Sequence, residues 1–459
     1  MRSPMAWLAG FLVVAVVAIT TWSLTRGQAP AGGPTPPRTP ASATPEPSST
    51  PKAPTASPKL SGPADSATLD SSPDPTTTPD KISTPRDSAA VNTLQDQIQL
   101  IAHRGADWLY RMNGIDGRFS PGQLPALNAE MDADHFLRQA GAALALARAA
   151  RMTGDQNYAD RATHSILVLF GETVVDPKDK TVRFTALPSA VVNRVAAAGL
   201  LAQAVHELPA PKSDLLDSAE QLCNYIRKQQ RADGSLCLSD SVEESKKAEE
   251  GDDASPYPGF ALAGLMRTQQ RRPAAWKTDF VRKALGYYAP ILKTRKDPAV
   301  VSAHVAAYSD AFLLTKEKPF ADCVYALNDW ICEMQYDHLD PRHPDWWGGF
   351  MCWQDGKSVA TAPTVEGAVL AEALVEGCRV ARQVEDSNRL ERYRTALELH
   401  LQFLARLQYT QANTRHFADW YRPKLVGGFH VSTVDGDLRL GDTRHAVSAM
   451  TQYVLTVAR

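Results

Sequence analysis

Four stretches of this chain repeat one pattern, in which a helical segment is followed by a tight turn and then a bulky apolar residue. The turns and the residues that follow them are Asp116-Gly117 with Phe119, Asp233-Gly234 with Leu236, Gly348-Gly349 with Phe350, and Gly427-Gly428 with Phe429. A glutamine precedes three of the turns, at Gln229, Gln335 and Gln408. One helical hairpin cannot bury its own apolar face, so a recurring unit of this size predicts an array of packed hairpins.

Helical periodicity after the first 90 residues or so predicts twelve helices of two kinds. Amphipathic segments with a charged face are predicted as outer helices, at about 93–112, 155–170, 212–230, 275–293, 319–335 and 387–410. Segments made of small apolar residues are predicted as buried inner helices, at about 134–150, 188–206, 257–269, 301–315, 363–381 and 442–457. Their alternation predicts a ring of six hairpins.

The connections between these helices differ in length. Inner-to-outer connections are short, as at Thr153-Gly154-Asp155, whereas most outer-to-inner connections are long. In an alternating ring, the long loops all emerge on one face, around the N-terminal ends of the inner helices. Long loops commonly carry function, so a site is expected on that face.

The N-terminal segment is apolar. No charged residue occurs between Arg2 and Arg26, and such a run is close to the roughly 20 residues that cross a bilayer as a helix. Its length favours an uncleaved transmembrane anchor at residues 1–27, the alternative being a signal peptide cleaved after Ala29-Pro30-Ala31. Either interpretation predicts that the rest of the chain is periplasmic or extracellular, and secreted if cleavage occurs.

Residues 28–90 are dominated by Pro, Ser, Thr and Ala. Such a composition buries too little apolar surface to offset its ordering entropy, which predicts a disordered linker. Residues 91–459 are then predicted as a single helical domain, held away from the membrane.

Charge and cysteine content limit the partners. The formal net charge of -2, without a Lys/Arg-rich run, argues against nucleic acid. Six cysteines in an exported chain permit disulfides, and Cys223 with Cys237 and Cys332 with Cys352 are the nearest pairs in sequence. No Cys-x-x-Cys spacing occurs, so we expect neither a structural zinc site nor a cofactor.

The repeated helix, glutamine, glycine turn and aromatic residue resembles the repeats of squalene and other terpenoid cyclases and of the protein prenyltransferase β-subunits, over about residues 95–459. These proteins share an all-α (α/α)6 toroid, which the resemblance therefore implies here. At the coarser level of twelve alternating helices, the chain is also similar to six-hairpin glycosidases, polysaccharide lyases and sugar epimerases.

The chemistry of the first two families is matched only in part. The cyclase Asp-x-Asp-Asp motif has its nearest counterpart in Asp132-Ala133-Asp134-His135, which lacks the last aspartate. At the prenyltransferase zinc site, His445 matches the histidine, but Glu366 and Ala368 stand in place of the aspartate and the cysteine. A divergent prenyltransferase-like zinc site at His445 is therefore one of three functional hypotheses.

Polar residues cluster where the first inner helix begins. They are Glu130, Asp132, Asp134, His135 and Arg138. Carboxylates in one concave site can divide acid and base roles, and a histidine titrates near neutrality. The alternative for Asp134 is a structural one, since an aspartate just before a helix is an ordinary N-cap.

The last inner helix begins with a similar group. Asp442 is expected to be its cap, with Arg444 and His445 in the first turn. Cations near a helix N-terminus oppose the helix dipole, so they indicate a partner anion or carboxylate. The alternative is a local bond from either cation to Asp442 or Asp435.

Glu366 is the best single candidate for a catalytic group. It lies near the start of an inner helix otherwise made of small and apolar residues. A carboxylate there either faces the ring interior or pairs with a buried cation, because an unpaired buried charge is costly. The competing explanation is a salt bridge to Arg194, Arg138 or Arg444.

Aromatic residues gather in the long loops. Trp346, Trp353 and Trp420 are candidates for stacking on a substrate, although Trp346 is better suited to packing its turn against the ring.

The leading hypothesis is thus an enzyme acting on a carbohydrate. Glu366 and one of Glu130, Asp132 and Asp134 would supply acid and base, and His135, His445, Arg138 and Arg444 would bind or polarise the substrate. The second hypothesis is a recognition scaffold that holds a glycan, lipid or peptide in the same funnel without turnover.

Overall fold

The computed structural model describes residues 93–132, 134–240, 255–354 and 356–458. The anchor predicted at 1–27 and the linker predicted at 28–90 lie outside these residues, so both stay predictions. Within the described ranges, no helix combines the length and the apolar character that crossing a membrane requires.

The described residues contain twelve α-helices, which alternate between an outer and an inner position. In chain order they are α1 (Leu94–Met112), α2 (Phe136–Thr153), α3 (Gln156–Gly171), α4 (Arg194–Glu207), α5 (Ser213–Lys228), α6 (Tyr257–Gln269), α7 (Ala275–Thr294), α8 (Pro298–Thr315), α9 (Lys318–Glu333), α10 (Ala368–Gln383), α11 (Ser387–Arg406) and α12 (Leu440–Gln452). The even-numbered helices are buried on most sides, and each packs against the next, with α12 against α2. The predicted six-hairpin ring is confirmed.

Some helix starts were predicted too early. The inner helix expected from residue 188 begins at Arg194, because Asn193 caps it by accepting a hydrogen bond from the Ala196 N–H at 3.0 Å. The inner helix expected from residue 363 begins at Ala368, after a 3-10 turn over Val365–Gly367.

Small residues let the inner helices touch through their backbones. A Cβ on Gly264 of α6 would meet the backbone of Gly199 on α4, and a Cβ on Gly259 would meet the backbone of Ala303 on α8. The glycine- and alanine-rich stretches of the sequence therefore fill the narrow centre of the ring, as predicted.

The repeated turn has one geometry in all four places. In each repeat, a single β-bridge joins a residue one or two positions after the end of the outer helix to the bulky residue after the turn. The pairs are Asn113 with Phe119, Gln230 with Leu236, Gln335 with Phe350, and Gln408 with Phe429. In the second repeat the bridging residue is Gln230, so the sequence alignment on Gln229 was one residue out. The turn glycine has positive φ, +97° at Gly427, where a Cβ would overlap the Arg104 carbonyl of the neighbouring outer helix.

Each repeat glutamine ties its turn to the next outer helix. The Gln408 amide donates to the carbonyls of Gly427 and Ile101, both at 3.0 Å. The Gln335 amide likewise donates to the carbonyls of Gly348 at 3.2 Å and Ala396 at 2.8 Å. Because Ile101 belongs to α1, the Gln408 bonds link the last hairpin to the first.

Replacing Gln408 by leucine should lower the free energy of unfolding by about 1–3 kcal/mol, because two carbonyls lose their donor. Urea denaturation measures this change. Gln156→Leu is the matched control, since its exposed amide bonds only the Asp160 carboxylate. Equal losses in the two variants would mean that the bonds to the turn and to α1 contribute nothing.

Short β-strands form within the long outer-to-inner loops. They are β1 (Gly122–Leu124), β2 (Ala129–Glu130), β3 (Thr173–Val175), β4 (Arg183–Thr185), β5 (Cys352–Gln354), β6 (Lys357–Val359), β7 (His430–Ser432) and β8 (Asp435–Arg439). One antiparallel sheet has the order β2-β1-β8-β7, with Gly122 opposite Arg439. This sheet joins the first long loop to the last, and these loops were predicted without regular structure.

Charged residues fill the ring near the C-terminal ends of the inner helices. This buried ion network consists of Arg148, Glu207, Arg267, Asp310, Glu376 and Arg379. Arg267 lies at its centre, with nitrogen-to-oxygen distances of 3.3 Å to Glu207, 3.2 Å to Asp310 and 3.8 Å to Glu376. Buried charges need such partners, and the network links α2, α4, α6, α8 and α10.

All six cysteines are free thiols. The disulfide pairs suggested by sequence proximity, Cys223 with Cys237 and Cys332 with Cys352, are not formed. Burial raises the pKa of the Cys223 thiol to about 12, which keeps it protonated and unreactive.

Candidate functional site

A cavity of about 360 Å³ opens among the N-terminal ends of α8, α10 and α12. We call it the upper cavity. Its lining includes the titratable residues Asp297, Glu366, Asp442 and His445 and the apolar residues Phe350, Met351, Trp353, Val369 and Leu370. It lies on the face where the long loops emerge, as the loop lengths predict.

Asp442 is the most perturbed carboxyl group of the upper cavity. Its Oδ2 is sealed from solvent and has no hydrogen-bond partner among the described residues. Burial and the negative charge of Glu366 raise the pKa of Asp442 to about 6, against the opposing charges of Arg439 and Arg444. A carboxyl group in this state can carry a proton near neutral pH and deliver it.

Asp442 was expected to cap the last inner helix, and that expectation is wrong. The N-cap is Arg439, in extended conformation and without a side-chain capping bond, and Asp442 lies in the first turn of α12. The short strand β8 runs directly into the helix, so the chain enters α12 three residues earlier than the sequence suggested. The carboxyl group is thereby left free to line the cavity.

Glu366 lies opposite this group, in the 3-10 turn that precedes α10. Its side chain is 64% exposed, and Oε1 is 3.4 Å from Arg439 Nη1. The salt bridge considered from the sequence therefore exists in a weak form, with Arg439 in place of Arg194, Arg138 or Arg444. An exposed pair at this distance restrains the carboxylate only slightly.

His445 is held by a carboxylate from the adjacent inner helix. Its Nδ1 lies 2.6 Å from Glu372 Oε2, and Glu372 Oε1 lies 3.4 Å from Arg148 Nη1. Burial opposes ionisation of Glu372, yet His445 and Arg148 hold the pKa of Glu372 at about 2. Burial and the neighbouring Arg444 lower the pKa of His445. A neutral His445 that donates from Nδ1 to this carboxylate presents an unprotonated Nε2, which can accept a proton.

A second, narrower cavity of about 60 Å³ lies deeper in the ring, and it shares His445 and Val369 with the upper cavity. We call it the lower cavity. All six inner helices contribute to its lining, which includes the charged residues Arg148, Glu372, Glu376 and Arg444. It leads from the upper cavity toward the buried ion network.

The polar group at the first inner helix lies elsewhere. Glu130 and Asp134 line a separate surface depression, and Asp132 is exposed. Asp134 accepts hydrogen bonds from Arg118 at 2.6 Å and from the Gln139 amide at 2.8 Å. The structure therefore does not bring these carboxylates to the cavity that contains Glu366.

Asp134 is not the N-cap of the first inner helix either. His135 takes that position, its Nδ1 accepting from the Leu137 N–H at 3.2 Å. Its neighbour Arg138 is exposed, but its charge reaches Asp442. Of the five polar residues predicted at this helix, Arg138 is therefore the one that acts on Asp442 in the upper cavity.

The three candidate tryptophans have different environments. Trp353, on β5, lines the upper cavity and contacts Trp330 edge-on, with ring centroids 5.4 Å apart. Trp346 stacks on His343 at 4.0 Å, which favours the packing interpretation. Trp420 is 66% exposed and lines none of the cavities described above.

Two site residues were missed or misassigned from the sequence. Glu372 went unnoticed, although it interrupts an apolar inner helix six residues after Glu366. Asp442 was assigned a structural role. Within the part of the chain that is described, His, Cys, Asp and Glu side chains form no group of three suited to a metal ion, so the zinc hypothesis at His445 gains no support.

No protein-family model and no curated protein matches the sequence. Solved structures do match. A D-mannose isomerase superimposes with a TM-score of 0.56 at 12% identity, over 78% of this chain and 97% of the isomerase. The cellobiose 2-epimerase of Bacillus thermoamylovorans gives 0.55 at 12% identity, over 79% and 99%. The α-1,6-mannanase of a Salegentibacter species gives 0.52 at 10% identity, over 78% and 99%.

The fold is that of a six-hairpin (α/α)6 toroid. At these identities the likeness concerns the fold alone. The matched proteins are carbohydrate-active enzymes, which agrees with the coarser of the two resemblances drawn from the sequence. They give no support to the link with terpenoid cyclases and prenyltransferases.

Proposed function

We propose that this chain is a carbohydrate-active enzyme, with Asp442 as general acid and Glu366 as the partnering carboxylate in the upper cavity. The observation that carries the proposal is the Asp442 carboxyl group. It is buried beside a second carboxylate, it lines an open cavity, and its pKa is raised to about 6. Two neighbouring carboxyl groups with different environments are the usual equipment for glycoside hydrolysis.

The different exposure of the two carboxyl groups assigns their roles as acid and base. Protonated Asp442 donates to the oxygen of the leaving group, while the exposed Glu366 carboxylate activates water or attacks the sugar carbon. The indole of Trp353 and the ring of Phe350 line the same cavity and offer apolar faces to a sugar ring.

The mannanase provides a useful contrast. Its structures contain α-1,6-mannotriose or α-1,6-mannotetraose, and its inactive variants have two adjacent aspartates replaced. The residues that line the upper cavity here include no two adjacent carboxylates. The proposed acid and base therefore come from two different inner-helix starts, at α10 and α12.

The His445–Glu372 pair favours a second candidate function, sugar epimerisation or isomerisation. Such reactions begin by removing a proton from the carbon next to a carbonyl group. A neutral histidine oriented by a carboxylate at 2.6 Å suits that step. Two of the matched structures are a D-mannose isomerase and a cellobiose 2-epimerase.

We also propose that the enzyme works outside the cytoplasm and is tethered to the membrane by residues 1–27. It rests on the charge-free run between Arg2 and Arg26. Fractionation of expressing cells tests it, with recovery in the cytoplasmic fraction as the contrary result.

The test of function uses the purified full-length chain in D2O with cellobiose, D-mannose and α-1,6-linked manno-oligosaccharides, followed by proton NMR. New reducing ends report hydrolysis, and loss of the C2 proton signal reports epimerisation or isomerisation. Hydrolysis should fall by roughly 100-fold or more in Asp442→Asn and Glu366→Gln. Isomerisation should instead be lost in His445→Gln.

Asp160→Asn, an exposed carboxylate on α3, is the matched control and should retain full activity. If the folded wild-type protein binds a saccharide but converts none, the binding-scaffold hypothesis replaces the enzyme.

A further inference from the structure

Arg444 has no hydrogen-bond acceptor among the described residues. Its Nε is sealed from solvent, and its guanidinium lines the lower cavity next to His445. A guanidinium carries five N–H donors, and burying donors without acceptors is costly. Nη1 and Nη2 are not sealed, so a ligand that fills the lower cavity can supply acceptors to these two nitrogens.

A glycine on the neighbouring inner helix leaves the space that Arg444 occupies. Its guanidinium lies across Gly141 of α2, where a Cβ would fall well inside the contact distance of three guanidinium atoms. Only glycine leaves this space. Glu372 and Asp442 attract the guanidinium electrostatically, so it is held between the two proposed catalytic pairs.

The residues that line the two cavities include more carboxyl groups than guanidinium groups. The upper cavity is lined by Asp297, Glu366 and Asp442 and by no lysine or arginine. In the lower cavity, Glu372 and Glu376 face Arg148 and Arg444. Arg148 is already paired with Glu207 and Glu372, whereas Arg444 has no ion-pair partner within 4 Å among the described residues. Even with Asp442 protonated, as the proposed general acid requires, a ligand carboxylate in the upper cavity would face Asp297 and Glu366.

We propose that Arg444 binds hydroxyl or ring oxygens of an uncharged saccharide, and that the surrounding carboxylates exclude uronic acids. This inference rests on the proposed function, whose substrate class it narrows. The saccharide spans both cavities, with the bond to be changed between Asp442 and His445 and its deepest oxygens at Arg444. The lower cavity, at about 60 Å³, admits only a small part of a sugar.

The test measures dissociation constants of the full-length protein by calorimetry, for D-glucose against D-glucuronic acid and for D-mannose against D-mannuronic acid. The dissociation constant of each neutral sugar should be at least about tenfold lower than that of its acid. Arg444→Met should weaken binding of the neutral sugar by about tenfold or more, since hydrogen bonds from a charged donor are lost.

A second variant acts on Arg444 without removing its charge. Gly141→Ala displaces the guanidinium and should weaken binding in the same direction, although residue 141 does not line either cavity. Gly286→Ala on α7 is the matched control, because nothing lies within 4 Å of its added Cβ. Thermal unfolding of each variant confirms that it is folded.

The outcomes separate this inference from the proposed function. Uronic acids that bind as tightly as their neutral counterparts, or unchanged binding in folded Gly141→Ala, overturn the inference and leave the catalytic proposal standing. Neutral binding that depends on Arg444, without any turnover, supports the inference and refutes the catalytic proposal. Failure of the folded protein to bind any of these sugars overturns the inference as well.

Discussion

Replacing Arg267 by methionine is expected to lower the free energy of unfolding by about 3–5 kcal/mol, the cost of breaking a buried ion pair from one side. Arg267 is the only cation within 4 Å of Glu207, Asp310 and Glu376 together in the described part of the chain. Without it, the three carboxylates lose their common cation in a medium that screens poorly. Glu207 keeps Arg148 and Arg151, but Asp310 and Glu376 are left to share Arg379. Equilibrium denaturation in urea measures the loss.

Arg282→Met is the matched control for this variant. Arg282 also bonds two carboxylates, Glu317 at 2.7 Å and Asp279 at 2.5 Å, but it lies on the surface with 45% of its side chain exposed. Solvent screens such pairs, and the control should lose about 1 kcal/mol or less. Similar losses in the two variants would show that the buried network contributes no more than a surface cluster does.

Asp442→Asn is expected to reduce the rate of glycoside hydrolysis at pH 5 by about 100- to 10,000-fold, the usual contribution of a positioned general acid. The reason is that asparagine cannot deliver a proton to the leaving group. The wild-type enzyme should also lose kcat/KM as the pH rises through about 6, because Asp442 is protonated below that pH and ionised above it. The measurement is a pH profile of kcat/KM for the wild type, Asp442→Asn and Asp160→Asn.

The control variant Asp160→Asn should retain the wild-type profile, and residual activity of Asp442→Asn should no longer change around pH 6. A wild-type rate that instead rises through pH 6 would make Asp442 a base, and the roles of Asp442 and Glu366 would have to be exchanged. A profile that is flat in this range would remove Asp442 from the chemistry.

The fold was readable from the sequence because its determinants are local and repeated. The positive φ of the turn glycines, the glutamine before the turn and the small residues of the inner helices each recur several times, so an error such as Gln229 for Gln230 does not change the architecture. Helix type follows from periodicity alone.

The site was only partly readable, because it depends on contacts between distant segments. Glu372 gains its role from His445, which lies 73 residues further along. Asp442 does not cap α12, because the strand before it, β8, pairs with β1 in the first long loop and runs directly into the helix. Asp134 forms an ion pair with Arg118, which lies in that same loop. Neither partner is visible in local periodicity. Glu366 was identified because it stands out in an apolar segment, and His445 because it is a possible cation near a helix N-terminus.

The pairing of β1 with β8 has a consequence for the order of events in folding. Gly122 and Arg439 are more than 300 residues apart, so β8 leaves the ribosome long after β1. Until β8 and α12 are made, α2 lacks one neighbour and β1 has an unpaired edge that other chains can bind. We therefore expect nascent chains that stall before residue 430 to depend on chaperones. In the described residues the ring is closed by the contact of α12 with α2, so unravelling has no terminal repeat from which to start.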